Sequence, residues 1–433
     1  MKERTLVVYP YLKNAAVVDS SLRSVDARLQ EAKNLTAAID LDVVDAIALP
    51  MKTFRPATLL GKGQVDSLRE TIAQNDVSLV VADCSLSPVQ QRNLEKAWGC
   101  KVIDRTALIL EIFGERARTK EGVLQVELAH LTYQKSRLVR SWTHLERQRG
   151  GKGFLGGPGE TQIELDRRVI TDNIVKIKKE LETVVRTREI HRKARRKVPY
   201  PVVALVGYTN AGKSTLFNRL TKADVFAKDL LFATLDPTMR LLKLPSGRQV
   251  ILSDTVGFIS ELPTELVAAF RATLEEVLEA AVLVHVRDCS HEDSKAQKKD
   301  VEVVLKELGA GEKMDKAMIE VLNKTDLLDP EKRSRVVNQS LRRQKAAAVC
   351  AITGEGFDDL LRLIDEMLNE NAIAAEMKIS LSNGAALAAA HRSGDVLTQK
   401  IDEEKGVCLI KVLFAPPALA KFKAAYPEVE IKQ

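Results

Sequence analysis

Eight consecutive residues, Gly207-Tyr208-Thr209-Asn210-Ala211-Gly212-Lys213-Ser214, constrain this chain more than any others. They spell G-x-x-x-x-G-K-[ST] between an apolar strand predicted over 202–206 and a helix predicted over 214–220. The pattern has a physical reason. Glycines let the backbone wrap its N–H groups around a phosphate at a helix N-terminus, where the helix dipole also favours negative charge. Lys213 can neutralise β- and γ-phosphates, the Ser214 hydroxyl can ligate Mg²⁺, and Thr215 continues the cradle into the helix. A strand–loop–helix unit of this kind commits the segment to an α/β architecture with a mostly parallel sheet.

Further elements follow in order. Phe232-Ala233-Thr234-Leu235-Asp236-Pro237 forms a loop in which Thr234 lies 20 residues beyond Ser214. Its hydroxyl and backbone can complete contacts to Mg²⁺ and the γ-phosphate. Asp254-Thr255-Val256-Gly257 follows a strand predicted over 250–252. Asp254 can hold a metal-bound water there, and the Gly257 N–H can sense the γ-phosphate. Lys213, Thr234 and Gly257 are the candidate catalytic positions. Ser214, Thr234 and, through water, Asp254 are the candidate metal ligands.

Asn323-Lys324-Thr325-Asp326 follows a strand predicted over 318–322. A carboxylate at Asp326 can accept both the N1–H and the N2 amine hydrogen of guanine, a donor pair that adenine lacks. Lys324 would flank the ring. Cys350-Ala351-Ile352 ends the next strand, with the Ala351 N–H aimed at guanine O6. The ordered set predicts GTP as substrate. Phe258 follows Gly257, and a phenyl ring cannot orient the attacking water, so slow intrinsic hydrolysis is expected. Asn210 either coordinates a monovalent cation near the phosphates or only stabilises the loop.

The whole chain has 433 residues, 45% hydrophobic and 29% charged, enough apolar material for two to four packed cores. The uninterrupted apolar runs are too short to span a bilayer, and the N-terminus lacks a signal-peptide core. A cytoplasmic protein is expected, not an integral membrane one. Five scattered cysteines without a CxxC pair, and six histidines without ligand spacing, encode neither a disulfide framework nor a zinc site.

The order of elements predicts four units. Residues 1–105 alternate strands and helices, an open α/β domain. Gly61-Lys62-Gly63 in it reads as a plain turn, with a phosphate or a second nucleotide as the less favoured reading. Residues 106–198 carry two apolar stripes at helical spacing, Leu124 to Leu145 and Ile163 to Val184, a helical hairpin. Its tip, residues 150–159, holds six of the 22 glycines. Trp142 sits in the stripe and reads as packing. Residues 199–370 form the nucleotide-binding domain, and 371–433 a small α+β domain. The net charge of +7 is unevenly spread: residues 115–200 sum to +10, leaving −3 on the rest. A basic hairpin with a glycine tip can enter an RNA-lined cavity and pair with phosphates. Arg147, Arg149, Lys152 and Phe154 are the candidate RNA contacts.

Beyond the nucleotide site, further strings carry a resemblance. They are Leu86-Ser87-Pro88, Val102-Ile103-Asp104-Arg105-Thr106, Arg116-Ala117-Arg118-Thr119 and Gln125-Val126-Glu127-Leu128-Ala129. Ser141-Trp142-Thr143-His144-Leu145-Glu146-Arg147 and Gly156-Gly157-Pro158-Gly159-Glu160-Thr161-Gln162 extend it. With the Thr234 and Gly257 segments, these make the chain similar to the HflX GTPases, a P-loop family related to translation factors. Cys350 departs from the serine usual at that position. The resemblance implies binding to the large ribosomal subunit, GTP hydrolysis stimulated by ribosomes, and splitting or rescue of stalled ribosomes under stress. No integral membrane partner is expected, and a monomer when free. Two rival readings are a GTP-regulated binding module for a protein or anionic membrane, and an RNA-remodelling NTPase.

Overall fold

The computed structural model describes residues 2–13, 23–148, 158–195, 200–222, 232, 238–260, 276–369, 373–402, 406–414 and 416–432. At 139–148, 158–163, 188–195, 395 and 416–418 it describes the backbone alone.

The first unit alternates β1 (Arg4–Leu12), α1 (Val25–Ala37), β2 (Asp42–Met51), α2 (Lys62–Gln74), β3 (Leu79–Ala82), α3 (Pro88–Trp98), β4 (Lys101–Asp104) and α4 (Arg105–Arg116). Its strands pair in parallel in the order β2-β1-β3-β4. Local chemistry sets the helix ends. The Ser24 side chain accepts from the Ala27 N–H at the start of α1. Ser87 and Gln90 form a capping box with Pro88 in the first turn of α3, and Gly99 ends it in the left-handed region. Gly61-Lys62-Gly63 is the N-terminal turn of α2, and the Gly61 N–H donates to Gln64 Oε1 at 3.2 Å. The turn is thus closed by its own side chain.

Two long helices follow, α5 (Lys120–Gln148) and α6 (Pro158–Arg195), packed on each other. Leu124, Ile174 and Ile177 of the predicted stripes are buried and Leu128 and Leu131 are half-buried, while Val126 and Ala129, off the stripe, are buried in the core shared with α4. Helix α6 begins at Pro158, inside the expected glycine tip, because proline suits a first helical turn whose N–H would go unpaired. Trp142, Leu145 and Ile163 have no described side chains.

The third unit comprises β5 (Val202–Gly207), α7 (Lys213–Thr221), β6 (Thr238–Lys243), β7 (Gln249–Asp254), β8 (Val282–Asp288), α8 (Ser294–Glu307), α9 (Gly311–Ala317), β9 (Met318–Asn323), α10 (Pro330–Leu341), β10 (Ala346–Ala348) and α11 (Phe357–Asn369). The sheet order is β10-β9-β8-β5-β7-β6. Only the edge pair β6–β7 is antiparallel, so the sheet is mixed but mostly parallel.

The last unit runs β11 (Ile373–Ser380), α12 (Gly384–Ser393), β12 (Asp395–Asp402), β13 (Val407–Phe414), α13 (Pro416–Ala425) and β14 (Glu430–Lys432), an antiparallel split βαβ sheet with its own core. Strands β12 and β14 were not visible in the pattern, because Asp395–Asp402 and Glu430–Lys432 are polar edge strands. One hydrophobic core crosses from the first unit into the third: Ile109, Ile112 and Phe113 of α4 belong to the same cluster as Tyr208, Phe232 and Phe258. Among the described residues, no helix is long and apolar enough to cross a membrane.

Candidate functional site

The loop between β5 and α7 has the geometry that its glycines foreshadow. Gly212 adopts φ +91°, and a Cβ there would stand 2.2 Å from Asn323 Nδ2. A Cβ on Gly207 would meet Val286 O at 2.2 Å. Only glycine fits either position. Asn210 takes φ +58°, a conformation asparagine tolerates, and is exposed at the loop crest. Thr215 lies in the first turn of α7. The Lys213 ammonium donates to Gly207 O at 3.1 Å and Tyr208 O at 2.8 Å. Burial pushes its pKa down to about 8, against the pull of Asp254.

Ser214 Oγ donates to Asp254 Oδ2 at 2.7 Å. A hydroxyl and a buried carboxylate therefore meet beside the loop. Thr255 Oγ1 ties back to Leu205 O at 2.6 Å. Gly257 is pressed on the loop: a Cβ there would lie 2.8 Å from Thr209 Cγ2 and 3.1 Å from Lys213 Nζ. Phe258 forms a two-sided backbone bridge. Its N–H donates to Gly207 O at 3.1 Å, and its carbonyl accepts the Thr209 N–H at 2.8 Å. Its ring is buried in the shared core. Phe232 is buried with φ +57° and packs edge-on against Phe113, ring centres 4.6 Å apart. Ala233, Thr234, Leu235 and Asp236 lie outside the described residues.

The base-side loops sit at the ends of β9 and β10. Asn323 Nδ2 donates to Ala211 O at 2.8 Å, and its Oδ1 accepts the Ala351 N–H at 3.0 Å. One side-chain amide thus joins the phosphate loop to the Cys350-Ala351-Ile352 loop. The Ala351 N–H is engaged here, so a contact to guanine O6 requires this bond to be shared or released. Lys324 takes φ +64° and its Nζ lies 2.9 Å from Asp288 Oδ2. Thr325 Oγ1 donates to Val349 O at 3.1 Å. The Cys350 thiol donates to Asp326 Oδ1 at 3.2 Å, and Ile352 is exposed. The structure brings Gly207–Thr215, Asp254–Gly257, Asn323–Asp326 and Cys350–Ile352 to one end of the sheet. Arg149, Lys152 and Phe154 lie outside the described residues, as does the side chain of Arg147.

Sequence reasoning missed the groups behind the loop. Arg23, Glu31 and Arg105 of the first unit form a buried cluster with Tyr208 and Ser260. Arg105 stood inside a family-like string, but nothing in its spacing pointed at Ser260.

Family models match three consecutive stretches. They are described as GTP-binding GTPase N-terminal (residues 26–114), GTP-binding GTPase middle region (116–195) and 50S ribosome-binding GTPase (202–324). The GTPase HflX of Magnetococcus marinus is 48% identical over 395 residues, which cover 91% of this chain and 90% of that protein. The GTPase HflX of Escherichia coli is 44% identical over 356 residues, 82% of each. That of Akkermansia muciniphila is 38% identical over 423 residues, 95% and 94%.

Proposed function

Given that the chain belongs to the HflX GTPase family and so binds and hydrolyses GTP, we propose that its nucleotide state controls a grip on the large ribosomal subunit, through which it splits or rescues stalled ribosomes under stress. The observation that carries the ribosomal part is the charge: +10 over residues 115–200 against −3 elsewhere. A polyanion such as ribosomal RNA answers that distribution through salt-dependent phosphate contacts. Arg147, Arg149, Lys152 and Phe154 at and near the hairpin tip are the assigned RNA contacts. On this reading the protein works in the cytoplasm and is a monomer when free.

The site roles follow from the donors present. Loop N–H groups and Lys213 hold the β- and γ-phosphates; Asp326, Lys324 and Ala351 hold guanine. Ser214 Oγ and Asp254 Oδ2, 2.7 Å apart, are hard oxygen donors that suit Mg²⁺, with Asp254 acting through water. Among the described residues no cluster of three acidic, histidine or cysteine side chains could hold a metal. When bound, Mg²⁺ would neutralise negative charge on the nucleotide phosphates. Thr234 is assigned the remaining contact to metal and γ-phosphate, Gly257 N–H the γ-phosphate itself, and Asn210 a monovalent cation. With the Phe258 ring buried, no side chain at that position orients water. Turnover therefore waits on groups that the ribosome supplies or reorders.

Pelleting with purified large subunits, and separately with anionic vesicles, tests the proposal. Binding to subunits that weakens with salt is expected; binding to vesicles alone overturns it.

A further inference from the structure

Phosphate loops hold their ligand with backbone N–H groups, so the second loop position needs no large side chain. This chain places Tyr208 there and buries it. The phenol is fully used. Its oxygen accepts the Ser260 N–H at 2.8 Å and an Arg23 N–H at 2.8 Å, and its proton goes to Glu31 Oε2 at 2.8 Å. One donor and two lone pairs are all a phenol has.

Ser260 is held at three atoms. Tyr208 takes its N–H. Arg105 Nη2 donates to its carbonyl at 3.2 Å and to its Oγ at 3.0 Å, and that hydroxyl donates to Glu31 Oε1 at 3.1 Å. Behind these, Arg105 pairs with Glu31 at 2.6 Å and with Asp83, while Arg23 pairs with Glu31 and with Asp300 on α8. Burial works against the charge on Arg105, but Asp83 and Glu31 outweigh it, so its pKa is raised. Burial likewise opposes ionisation of Glu31, and Arg105 and Arg23 outweigh it, so its pKa is lowered. Burial, then Glu31, raises the Tyr208 pKa, which keeps the proton on the phenol. Arg105 and Phe113, two turns apart on α4, present one face of that helix to Ser260 and Phe232.

We propose that Tyr208 is a positioning residue for GTP hydrolysis: anchored by Glu31 and Arg23, it locks the Gly257–Ser260 segment, which Arg105 also holds at Ser260, to the phosphate loop. The bridge from Phe258 to Gly207 and Thr209 fixes one part of the segment, and the phenol fixes Ser260. Because the Phe258 ring is buried, the backbone of this segment must carry the γ-phosphate contact. A backbone donor is worth most when it is held in place beforehand. The inference rests on the role proposed above for Gly257.

The test uses the full chain with Tyr208→Phe, which keeps the ring and removes the hydroxyl. Single-turnover kcat should fall about five- to tenfold, with KM for GTP and affinity for GDP within about twofold of wild type. Glu31→Gln, which leaves the sequence of the phosphate loop unchanged, should give the same kcat-selective loss, and the double variant should be no worse than the poorer single one. Unchanged kcat in Tyr208→Phe, a matching loss of GDP affinity, or full activity in Glu31→Gln overturns the assignment. Gly257→Ala separates this from the underlying reading. If Gly257→Ala loses hydrolysis and Tyr208→Phe does not, only the positioning role falls. If Gly257→Ala hydrolyses GTP normally, the γ-phosphate role of Gly257 falls.

Discussion

The two ends of the nucleotide site are wired differently. At the base end every described bond stays within the third unit: Asn323 to Ala211 and Ala351, Cys350 to Asp326, Lys324 to Asp288. At the phosphate end the wiring leaves it. Tyr208 and Ser260 are held by Arg23, Glu31 and Arg105, and Phe232 rests on Phe113. On the roles proposed, the guanine contacts are held within the third unit alone, whereas the segment assigned to the γ-phosphate is also held by residues of the first unit. On the proposed function, the packing between the first and third units is the route by which binding at the hairpin would reach hydrolysis.

Substitutions can break this comparison at either end. Lys213→Ala removes the phosphate-end cation and should weaken all guanine nucleotides by at least about 100-fold, as expected for the loss of several charge-assisted contacts. Titration with GDP and GTP checks this, and unchanged affinity would contradict the phosphate-loop assignment. Asp326→Asn acts only at the base end. It should lower GTP affinity by roughly 50-fold and shift preference toward xanthosine nucleotides, with turnover of bound nucleotide little changed. Retained guanine selectivity contradicts the role of Asp326.

The pH dependence belongs to the phosphate end alone. Burial holds Lys213 near pKa 8, and a bound phosphate would raise it. Binding then takes up a proton above pH 8, so GDP affinity should fall with rising pH by up to about tenfold per unit. Flat affinity to pH 9.5 in calorimetric titration would refute this. The smallest effect lies at the base end. A hydroxyl is a better donor than a thiol, so Cys350→Ser should tighten guanine nucleotide binding by about two- to threefold. That gain should be the same with and without Glu31→Gln; coupling between them would erase the distinction between the ends.

The geometry of the candidate site was legible in the sequence where its demands are local. Gly207 and Gly212 stand where any Cβ would clash, and Asn323 and Asp326 follow an apolar strand at fixed spacing. The alternation of strands and helices in residues 1–105 was readable for the same reason. The Tyr208 cluster was not. Its bonds join residues 177, 185 and 229 positions apart, and a lone Arg23 or Glu31 on an amphipathic stretch reads as a solvated charge. Only packing of α1 and α4 against the third unit turns those charges inward. The engagement of the Ala351 N–H by Asn323 was equally hidden, since it depends on how the loops after β9 and β10 meet.

The central claim is that hydrolysis at this site answers to the ribosome. The direct measurement is the GTPase rate of the full chain with and without purified large ribosomal subunits, at low and at raised salt. The account predicts a slow basal rate, strong stimulation by large subunits, and loss of that stimulation as salt screens the hairpin. A basal rate unchanged by large subunits at low salt would contradict it.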